Sequence, residues 1–434
     1  MARVNRKAFL HKEDGSMSVL SVFMVLISLT VGALSYDIHR LMVERTRLQN
    51  AVDTAAHAAL YTREDESAHE AITLAVATTD SDSKAWKWRQ PISAHDIEYG
   101  YWDNDTRTFT ADSGSKDAVF VKGYRVKSRY NEISTVLLTL VGIDEVELAA
   151  EAVYETYYPA CMTEGLVAEG VVDLQSNNTV VSGFCIHSNS HVSVNQNNYF
   201  EPGTVVQMPD ISEIDLPRSG FKKNDGLEQA LRNGSFRVRA VNMIDDILTG
   251  LENMDSDYLP DYVSGSNAIE LSTTSVLPSD FTYGRAHKID CPSGGTLVFG
   301  KGDYSGFSLW TSCKVKFNQG TTLQDVTIGT TDSDADSFSA PSTLVVGLDD
   351  NCADGGGASL VTLGGFQSAA DLHMYGSQVL AKGDIEFAAN ADGIEGTSMI
   401  SAGEISATSN SDFGYCDHGG MDDIYRARLF RMVL

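Results

Sequence analysis

A long uncharged segment constrains the fold more than any other feature of the sequence. No charged residue occurs over residues 15–36. At about 1.5 Å per residue, a helix of this length spans roughly 30 Å, which is the hydrocarbon thickness of a bilayer. A single open segment satisfies its own backbone hydrogen bonds in lipid only as a helix. The sequence therefore predicts a transmembrane helix here.

The helical pattern continues beyond the apolar run. Residues 37–60 contain no proline or glycine, and Arg45 is the one charged residue in an otherwise apolar stripe. The stripe recurs at three- and four-residue steps, at Ile38, Leu41, Leu48, Val52, Ala55 and Ala59. Residues 15–60 therefore form one predicted membrane anchor and amphipathic helix. Its stripe needs a cover, either a folded domain of the same chain or another helix.

A cleaved signal peptide is the alternative interpretation of the apolar run. Its core would be residues 19–34, with Ala33 and Ser35 at the cleavage site. The run is longer than a typical signal core and continues directly into a helix, which favours an uncleaved anchor. Basic residues before and after the run give a slight preference for a cytoplasmic N-terminus. Residues 1–14 are then a short cytoplasmic tail.

Charge and cysteine usage limit the partners and the compartment. The net charge is −27, so the chain repels nucleic-acid phosphates and anionic lipids, and no nucleic-acid partner is expected. Every cysteine lies at or beyond position 161, which fits disulfides in an oxidising compartment beyond the membrane. Six cysteines allow 15 pairings, and neighbour pairing closes the shortest loops. The candidates in chain order are Cys161, Cys185, Cys291, Cys313, Cys352 and Cys416.

A motif follows the apolar run. Tyr36-Asp37 ends the run, and residues 45–56 read Arg-Thr-Arg-Leu-Gln-Asn-Ala-Val-Asp-Thr-Ala-Ala. This order resembles the N-terminal domain of TadG-like proteins of the tight-adherence (Flp) pilus assembly system. The motif residues are Arg45, Leu48, Gln49, Asn50, Ala51 and Asp53. The resemblance implies a non-enzymatic, single-pass inner-membrane protein with a periplasmic or external C-terminal domain. The implied partners are pseudopilins, other pilus-assembly proteins and a second copy of the chain.

Residues 61–160 predict a small α/β domain. Strands are expected at residues 96–102, 107–110, 118–126 and 146–157, with a turn at 103–105 and a helical run at 133–141 that Gly142 ends. The hairpin around Gly100 and Trp102 also resembles the TadG-like family. Such a sheet would cover the stripe in a pilin-like arrangement. The predicted fold class is therefore α+β, with a long helix on a small sheet followed by a mostly-β region.

The remainder of the chain predicts a β-rich domain. Residues 161–208 begin a series of short Val- and Leu-rich runs separated by Asn, Ser and Gly, and the series resumes over 269–434. An irregular parallel β-solenoid suits these runs, and a β-sandwich is the competing fold. Residues 209–268 form a predicted helical insertion, punctuated by Pro209, Pro217 and Pro260. The basic and apolar end of the chain is either a final strand or a docking tail.

Residues with metal-binding or catalytic chemistry are few. His187 and His191 are four apart, but the Ser-Asn-Ser between them favours a turn with solvated histidines over a zinc site. Asp332, Asp334 and Asp336 alternate like a calcium loop, yet the glycine and glutamate of that loop are missing, which favours an acidic surface loop.

A polysaccharide-cleaving solenoid would need a pair of carboxylates, and the sequence offers two candidate pairs. Asp349 and Asp350 form one pair, and Asp384 and Glu386 form the other. No basic or aromatic substrate cluster accompanies them in the sequence, so neither enzymatic activity nor a cofactor is expected. The alternatives to a pilus-assembly role are a surface adhesin or structural envelope protein, and a solenoid enzyme acting on polysaccharide.

Overall fold

The computed structural model describes residues 16–64, 66–85, 89–157, 160–292, 294–387, 393–408, 410–417, 420–421 and 424–434. The expected cytoplasmic tail over residues 1–14 lies outside the described residues. The chain divides into two compact units. The first comprises Met1–Tyr157 and Leu429–Leu434, and the second comprises Tyr158–Arg428.

The first unit begins with two helices. Helix α1 runs from Ser16 to Arg63 without interruption, which confirms the long helix, and α2 spans Ala68–Ala85. The part of α1 near its start is long and apolar enough to cross a membrane, and none of its most apolar stretch is buried in the protein. This stretch is therefore a candidate membrane span by its length and composition.

An antiparallel sheet packs against α1. The first six strands are β1 Ile97–Asp103, β2 Thr108–Ala111, β3 Ala118–Arg125, β4 Ile133–Ser134, β5 Glu145–Val146 and β6 Leu148–Tyr157. Strand β1 lies between β2 and β3, β3 pairs with β6, and β4 and β5 form a separate pair. Short 3-10 helices span Ala94–Asp96, Lys127–Arg129 and Leu138–Val141. The predicted hairpin and long strands are confirmed.

The predicted helical run over residues 133–141 is wrong for its first half. Its start is strand β4, and only Leu138–Val141 is helical, as a single 3-10 turn. Gly142 does end that turn, with a left-handed φ of 86°. Ile133 pairs with Val146 in an antiparallel strand pair, so its backbone is extended and a longer helix cannot begin there.

The sheet covers the stripe of α1 only in part. Leu48, Val52, Ala55 and Ala59 are fully buried, whereas Ile38 remains 42% exposed. The helix and sheet approach closely at Gly123, where an added Cβ would lie 2.4 Å from Val52 Cγ2. A glycine on β3 therefore lets the two backbones approach, and the end of the stripe next to the apolar run stays exposed.

The second unit consists mainly of short strands, and every pairing among those described is parallel. The strands are β7 Gly165–Ala168, β8 Val172–Leu174, β9 Thr179–Val180, β10 Cys185–Ser188, β11 Val192–Val194, β12 Asn198–Phe200, β13 Val205–Met208, β14 Asn224–Asp225, β15 Leu231–Asn233, β16 Ile269–Glu270, β17 Ser275–Val276, β18 Arg285–Ile289, β19 Thr296–Phe299, β20 Gly302–Thr311, β21 Lys314–Phe317, β22 Thr321–Thr330, β23 Phe338–Ala340, β24 Leu344–Val346, β25 Ala358–Thr362, β26 Phe366–Ser368, β27 Leu372–Tyr375, β28 Gln378–Ala381, β29 Ile385–Phe387, β30 Ile394–Glu395, β31 Ser398–Ser401, β32 Ile405–Ala407 and β33 Asp412–Gly414. Its helices are α3 Ala160–Thr163, α4 Leu227–Ala230, α5 Arg239–Asn242 and α6 Ile244–Asn253, with 3-10 turns at Ile211–Glu213, Gly220–Lys223 and Pro278–Asp280.

These strands build a parallel β-solenoid with three faces. Gly165, Cys185 and Val205 stack at successive 20-residue steps on the face that we call the first face. Strands such as β8 and β11 form a second face, and strands such as β9 and β12 form a third. Because a sandwich would pair its strands antiparallel, the β-sandwich alternative is wrong.

The chain enters this solenoid in the middle. Strand β7 pairs with β10, the next turn in sequence, and on its other side with β31, more than 200 residues later. The early strands therefore build one half and the late strands build the other. Helices α5 and α6 come between the early and late strands in sequence and pack on the outer side of the first face. Gly329 gives Leu248 and Leu251 of α6 room to approach that face.

Asparagines form a ladder at one corner of the solenoid. The side-chain oxygen of Asn198 accepts from the backbone N–H of Asn178 at 2.8 Å, and that of Asn224 accepts from the N–H of Asn198 at 3.1 Å. The preceding Asn177 and Asn197 adopt left-handed φ values of 64° and 66°. Asparagine tolerates this conformation and satisfies the turn, which explains the Asn-Asn corners in the sequence.

Three disulfides close loops in the second unit. The bonded pairs are Cys161–Cys185, Cys291–Cys313 and Cys352–Cys416. The first two join positions 24 and 22 residues apart, close to one turn of the solenoid, whereas the third spans 64 residues. These are the neighbour pairs that close the shortest loops.

The end of the chain returns to the first unit as strand β34, Leu429–Met432. It pairs antiparallel with β6 and becomes an edge strand of the first sheet. The expectation of a final strand is therefore met in the sheet beside α1. The solenoid is an insertion between two neighbouring strands of the first unit.

Candidate functional site

The motif residues of α1 divide between packing and exposure. Leu48 and Ala51 lie in the core beneath the sheet. Gln49 Nε2 donates to Asp53 Oδ1 at 2.8 Å and to the carbonyl of Glu151 on β6 at 2.9 Å. Asn50 is exposed, as is Arg45. Four of the six motif residues therefore pack or hydrogen-bond within the unit, and Arg45 and Asn50 remain at its surface.

Two further contacts fix α1 in place. Arg125 of β3 donates to Glu44 Oε2 at 2.7 Å, and the two side chains are only 9% and 13% exposed. Tyr99 Oη donates to the carbonyl of Ala59 at 3.0 Å, and burial raises the pKa of Tyr99 to about 12. A buried charge pair loses its compensation if either partner is removed, so these contacts resist rotation of the helix.

An uncovered face of α1 continues from the apolar run. Ile38 is 42% exposed and Met42 is 63% exposed, and Thr46 and Asn50 are exposed at the next four-residue steps. Residues four apart lie along one face of a helix. The sequence stripe identified Ile38 but not Met42, because Met42 lies beside the stripe and its exposure follows from where the sheet ends. We call Ile38, Met42, Thr46 and Asn50 the open face.

Asp37 links the same end of α1 to a distant loop. Its carboxylate accepts backbone N–H groups of Val136 at 3.0 Å, and of Leu137 and Leu138 at 2.7 Å each. Arg40 Nη1 adds a bond to the carbonyl of Ser134 at 2.9 Å. Sequence reasoning missed this role, because only the fold brings residues about 100 positions apart together.

Two regions of the chain match known protein families. Residues 165–417 match the family described as Domain of unknown function (DUF7867), which covers more than half of the 434 residues. The chain belongs to this family. Residues 15–68 match the Flp pilus-assembly TadE/G-like family, which confirms the resemblance of the N-terminal region. No curated protein and no solved structure matches the chain.

The two matches coincide with the structural elements. The DUF7867 region begins with β7 and ends just after β33, so it contains the solenoid together with α4, α5 and α6. The TadE/G-like region covers α1 and the turn into α2. The open face and Asp37 therefore belong to the TadE/G-like region.

In the DUF7867 region, the expectation of a solvated His187 is wrong. Its side chain is fully buried, stacks on Phe236 with ring centroids 3.9 Å apart, and contacts Gln207 Oε1 at 3.1 Å and Asn189 Oδ1 at 3.0 Å. Burial lowers the pKa of His187. The neutral imidazole is a packed structural element of the solenoid.

The carboxylate candidates stabilise loops. Lys314 Nζ lies 2.5 Å from Asp336 and 3.6 Å from Asp334, so this lysine ammonium offsets part of the negative charge of the acidic loop. Asp384 Oδ1 accepts the N–H of Glu404 at 2.8 Å, and Asp350 Oδ1 accepts that of Ala353 at 3.0 Å.

One further group, Cys352, Glu395 and Cys416, brings metal-ligating atoms together among the described residues. Its two sulfurs are bonded to each other and are not available as thiolates. An open groove on the second face is lined by polar residues that include Lys316, Gln367 and Glu386. Two carboxylates line this groove, Glu386 and Asp336, and Asp336 is paired with Lys314 at 2.5 Å.

Proposed function

We propose that this chain is a non-enzymatic, membrane-anchored component of Flp pilus assembly. Helix α1 holds the protein in the bacterial inner membrane, and its open face packs against helices of pseudopilins or other assembly proteins. The observation that supports this most directly is the TadE/G-like match on a helix whose membrane-proximal face the protein leaves uncovered.

The chemistry of the open face suits a helical partner. Ile38 and Met42 offer apolar surface next to the bilayer, and Thr46 and Asn50 offer polar groups further out. In lipid and at its boundary, helices associate through close packing and through hydrogen bonds of side chains such as Thr and Asn. A second copy of α1 would meet the same surface, so self-association is the competing occupant.

The solenoid is proposed to lie outside the cytoplasm. Three disulfides hold it together, and disulfides persist in the periplasm or at the cell surface. A disulfide-bonded solenoid inserted between β6 and β34 would act as a spacer or contact surface for the growing pilus.

Photo-crosslinking from the open face tests the proposal. A photoreactive residue at Met42 is expected to crosslink a pseudopilin in cells that assemble pili. The same residue at His69, which is exposed on α2, serves as the matched control and is expected to give no such product. A Met42 product that contains only a second copy of the chain, or loss of the gene without loss of pili, would contradict the proposed partners.

A surface adhesin is the second candidate, and the groove lined by Lys316, Gln367 and Glu386 is the observation that favours it. It predicts normal piliation but weaker attachment in cells that lack the protein. Substitution of Lys316 and Gln367 by alanine would then reduce attachment while the open-face crosslinks persist. Turnover of a glycan by the full chain that is lost in Glu386→Gln would instead indicate the enzymatic alternative.

A further inference from the structure

The loop over residues 136–143 is apolar and lies beside α1, where Asp37 binds its backbone. It reads Val-Leu-Leu-Thr-Leu-Val-Gly-Ile, and no charged residue occurs between Glu132 and Asp144. Val136 is 49% exposed and Ile143 is 44% exposed. Two half-exposed apolar side chains at the two ends of one short loop form a surface that an apolar partner would cover.

Asp37 sets the height of this loop along α1. Asp37 is the first charged residue after the apolar run, so it marks the end of the membrane span. Its carboxylate holds the N–H groups of Val136, Leu137 and Leu138 at 2.7–3.0 Å. The loop backbone therefore lies level with the residue at which α1 leaves the hydrocarbon.

Several N–H groups of the loop backbone are hydrogen-bonded within the protein, which an apolar environment requires. Asp37 satisfies three N–H groups, and the N–H groups of Gly142 and Ile143 donate to the carbonyls of Thr139 at 3.0 Å and Leu138 at 3.1 Å. Thr135 Oγ1 closes the base by donating to the carbonyl of Ile143 at 2.5 Å. Irregular backbone is tolerated at membrane depth where the protein satisfies its polar groups.

We propose that the 136–143 loop inserts the side chains of Val136 and Ile143 into the bilayer interface beside α1. Asp37, at the end of the apolar run, binds the loop backbone directly, and this link to the span selects lipid as the occupant. The protein then contacts the membrane at two points, and Asp37 couples them. This fixes the rotation of the first unit about α1 and hence the direction in which the open face points. The inference rests on the proposed anchoring by α1.

Fluorescent labelling of the full chain in phosphatidylcholine vesicles that contain nitroxide-labelled lipid tests this proposal. All six native cysteines are disulfide-bonded, so one introduced cysteine carries the only free thiol for an environment-sensitive dye. Thr139→Cys places the dye in the loop, Leu26→Cys places it in the span, and Thr106→Cys places it in the β1–β2 turn. We expect lipid quenching and a blue-shifted emission at positions 26 and 139, and aqueous iodide quenching at position 106.

The outcomes separate the loop from the anchor. A lipid-quenched dye at Leu26 with an iodide-quenched dye at Thr139 would overturn the loop insertion and leave the anchor standing. An iodide-quenched dye at Leu26 would overturn the anchor and the loop insertion together. A combined Val136→Asp and Ile143→Asp variant is expected to move the Thr139 dye into water while the Leu26 dye stays lipid-quenched. Unchanged lipid quenching at Thr139 in that variant would also refute the role of these side chains.

Discussion

Removal of one arginine near the end of the chain tests whether the chain returns to the first sheet. Arg431 on β34 donates through Nε to Glu155 Oε1 at 2.6 Å, and its Nη2 contacts the same carboxylate. The Glu155 side chain is 8% exposed, and its other partner is Asn104 Nδ2 at 3.1 Å and 3.3 Å. Arg431→Met keeps the aliphatic stem but leaves a nearly buried carboxylate with one neutral donor.

The expected cost follows from these contacts. A hydrogen bond to a charged group is worth about 1.5–3 kcal/mol, and an exposed pair is worth about 0–1 kcal/mol. Because the Arg431 side chain is 49% exposed, we place the loss at about 1–2 kcal/mol, between these limits. This corresponds to a roughly 5- to 30-fold larger open population of the β6–β34 pairing.

Hydrogen exchange on the full chain in detergent measures that population directly. The informative amides are those of Val153 and Val433, which bond to the carbonyls of Leu434 at 3.1 Å and Val153 at 2.9 Å. A double-mutant cycle of Arg431→Met with Glu155→Gln isolates the pair, and we expect a coupling energy of at least about 1 kcal/mol. A coupling below about 0.3 kcal/mol, or unprotected amides in the unmodified chain, would refute the return of the strand.

Three other perturbations test the packing of the two units. Gly123→Ala adds a methyl group 2.4 Å from a side chain of α1 and should destabilise the first unit by about 1–3 kcal/mol in thermal unfolding, whereas Gly114→Ala, with ordinary contact distances, should not. Because burial lowers the pKa of His187, its contribution to stability should be fully present above the unfolded pKa of about 6.5 and should be lost as the pH falls below that value. In urea denaturation between pH 7.5 and 5, His187→Gln should therefore reduce the dependence of the midpoint on pH. Replacing Cys352 and Cys416 by serine opens a 64-residue loop and should lower the free energy of unfolding of the solenoid by about 4 kcal/mol, and an unchanged denaturation midpoint would contradict this.

Local features of this protein could be predicted from residues close together in sequence. The long helix follows from an uncharged run and a stripe with helical spacing, and both are properties of one segment. The hairpin of β1 and β2 follows from a short turn between two apolar runs. The parallel solenoid follows from short aliphatic strands with Asn and Gly corners, which bury one or two side chains per strand.

Burial of individual polar residues was not predictable in the same way. His187 follows a cysteine in a turn-like stretch, and its neighbours in sequence favour exposure. It is buried because Phe236, from the segment just before α5, stacks on it with ring centroids 3.9 Å apart. The burial of a residue depends on what packs over it, and that partner is 49 positions away.

Tertiary structure alone decided the order of the strands and the position of the loop. Every strand offers the same backbone donors and acceptors, so the sequence does not state that β7 pairs with β31 or that β34 pairs with β6. In the sequence, Asp37 is likewise an ordinary charged residue after an apolar run. Only the fold places the backbone N–H groups of Val136, Leu137 and Leu138 within hydrogen-bond distance of its carboxylate. Local spacing determined the elements of this protein. Long-range pairing, which depends on close packing and shared backbone hydrogen bonds, determined which surfaces remain exposed.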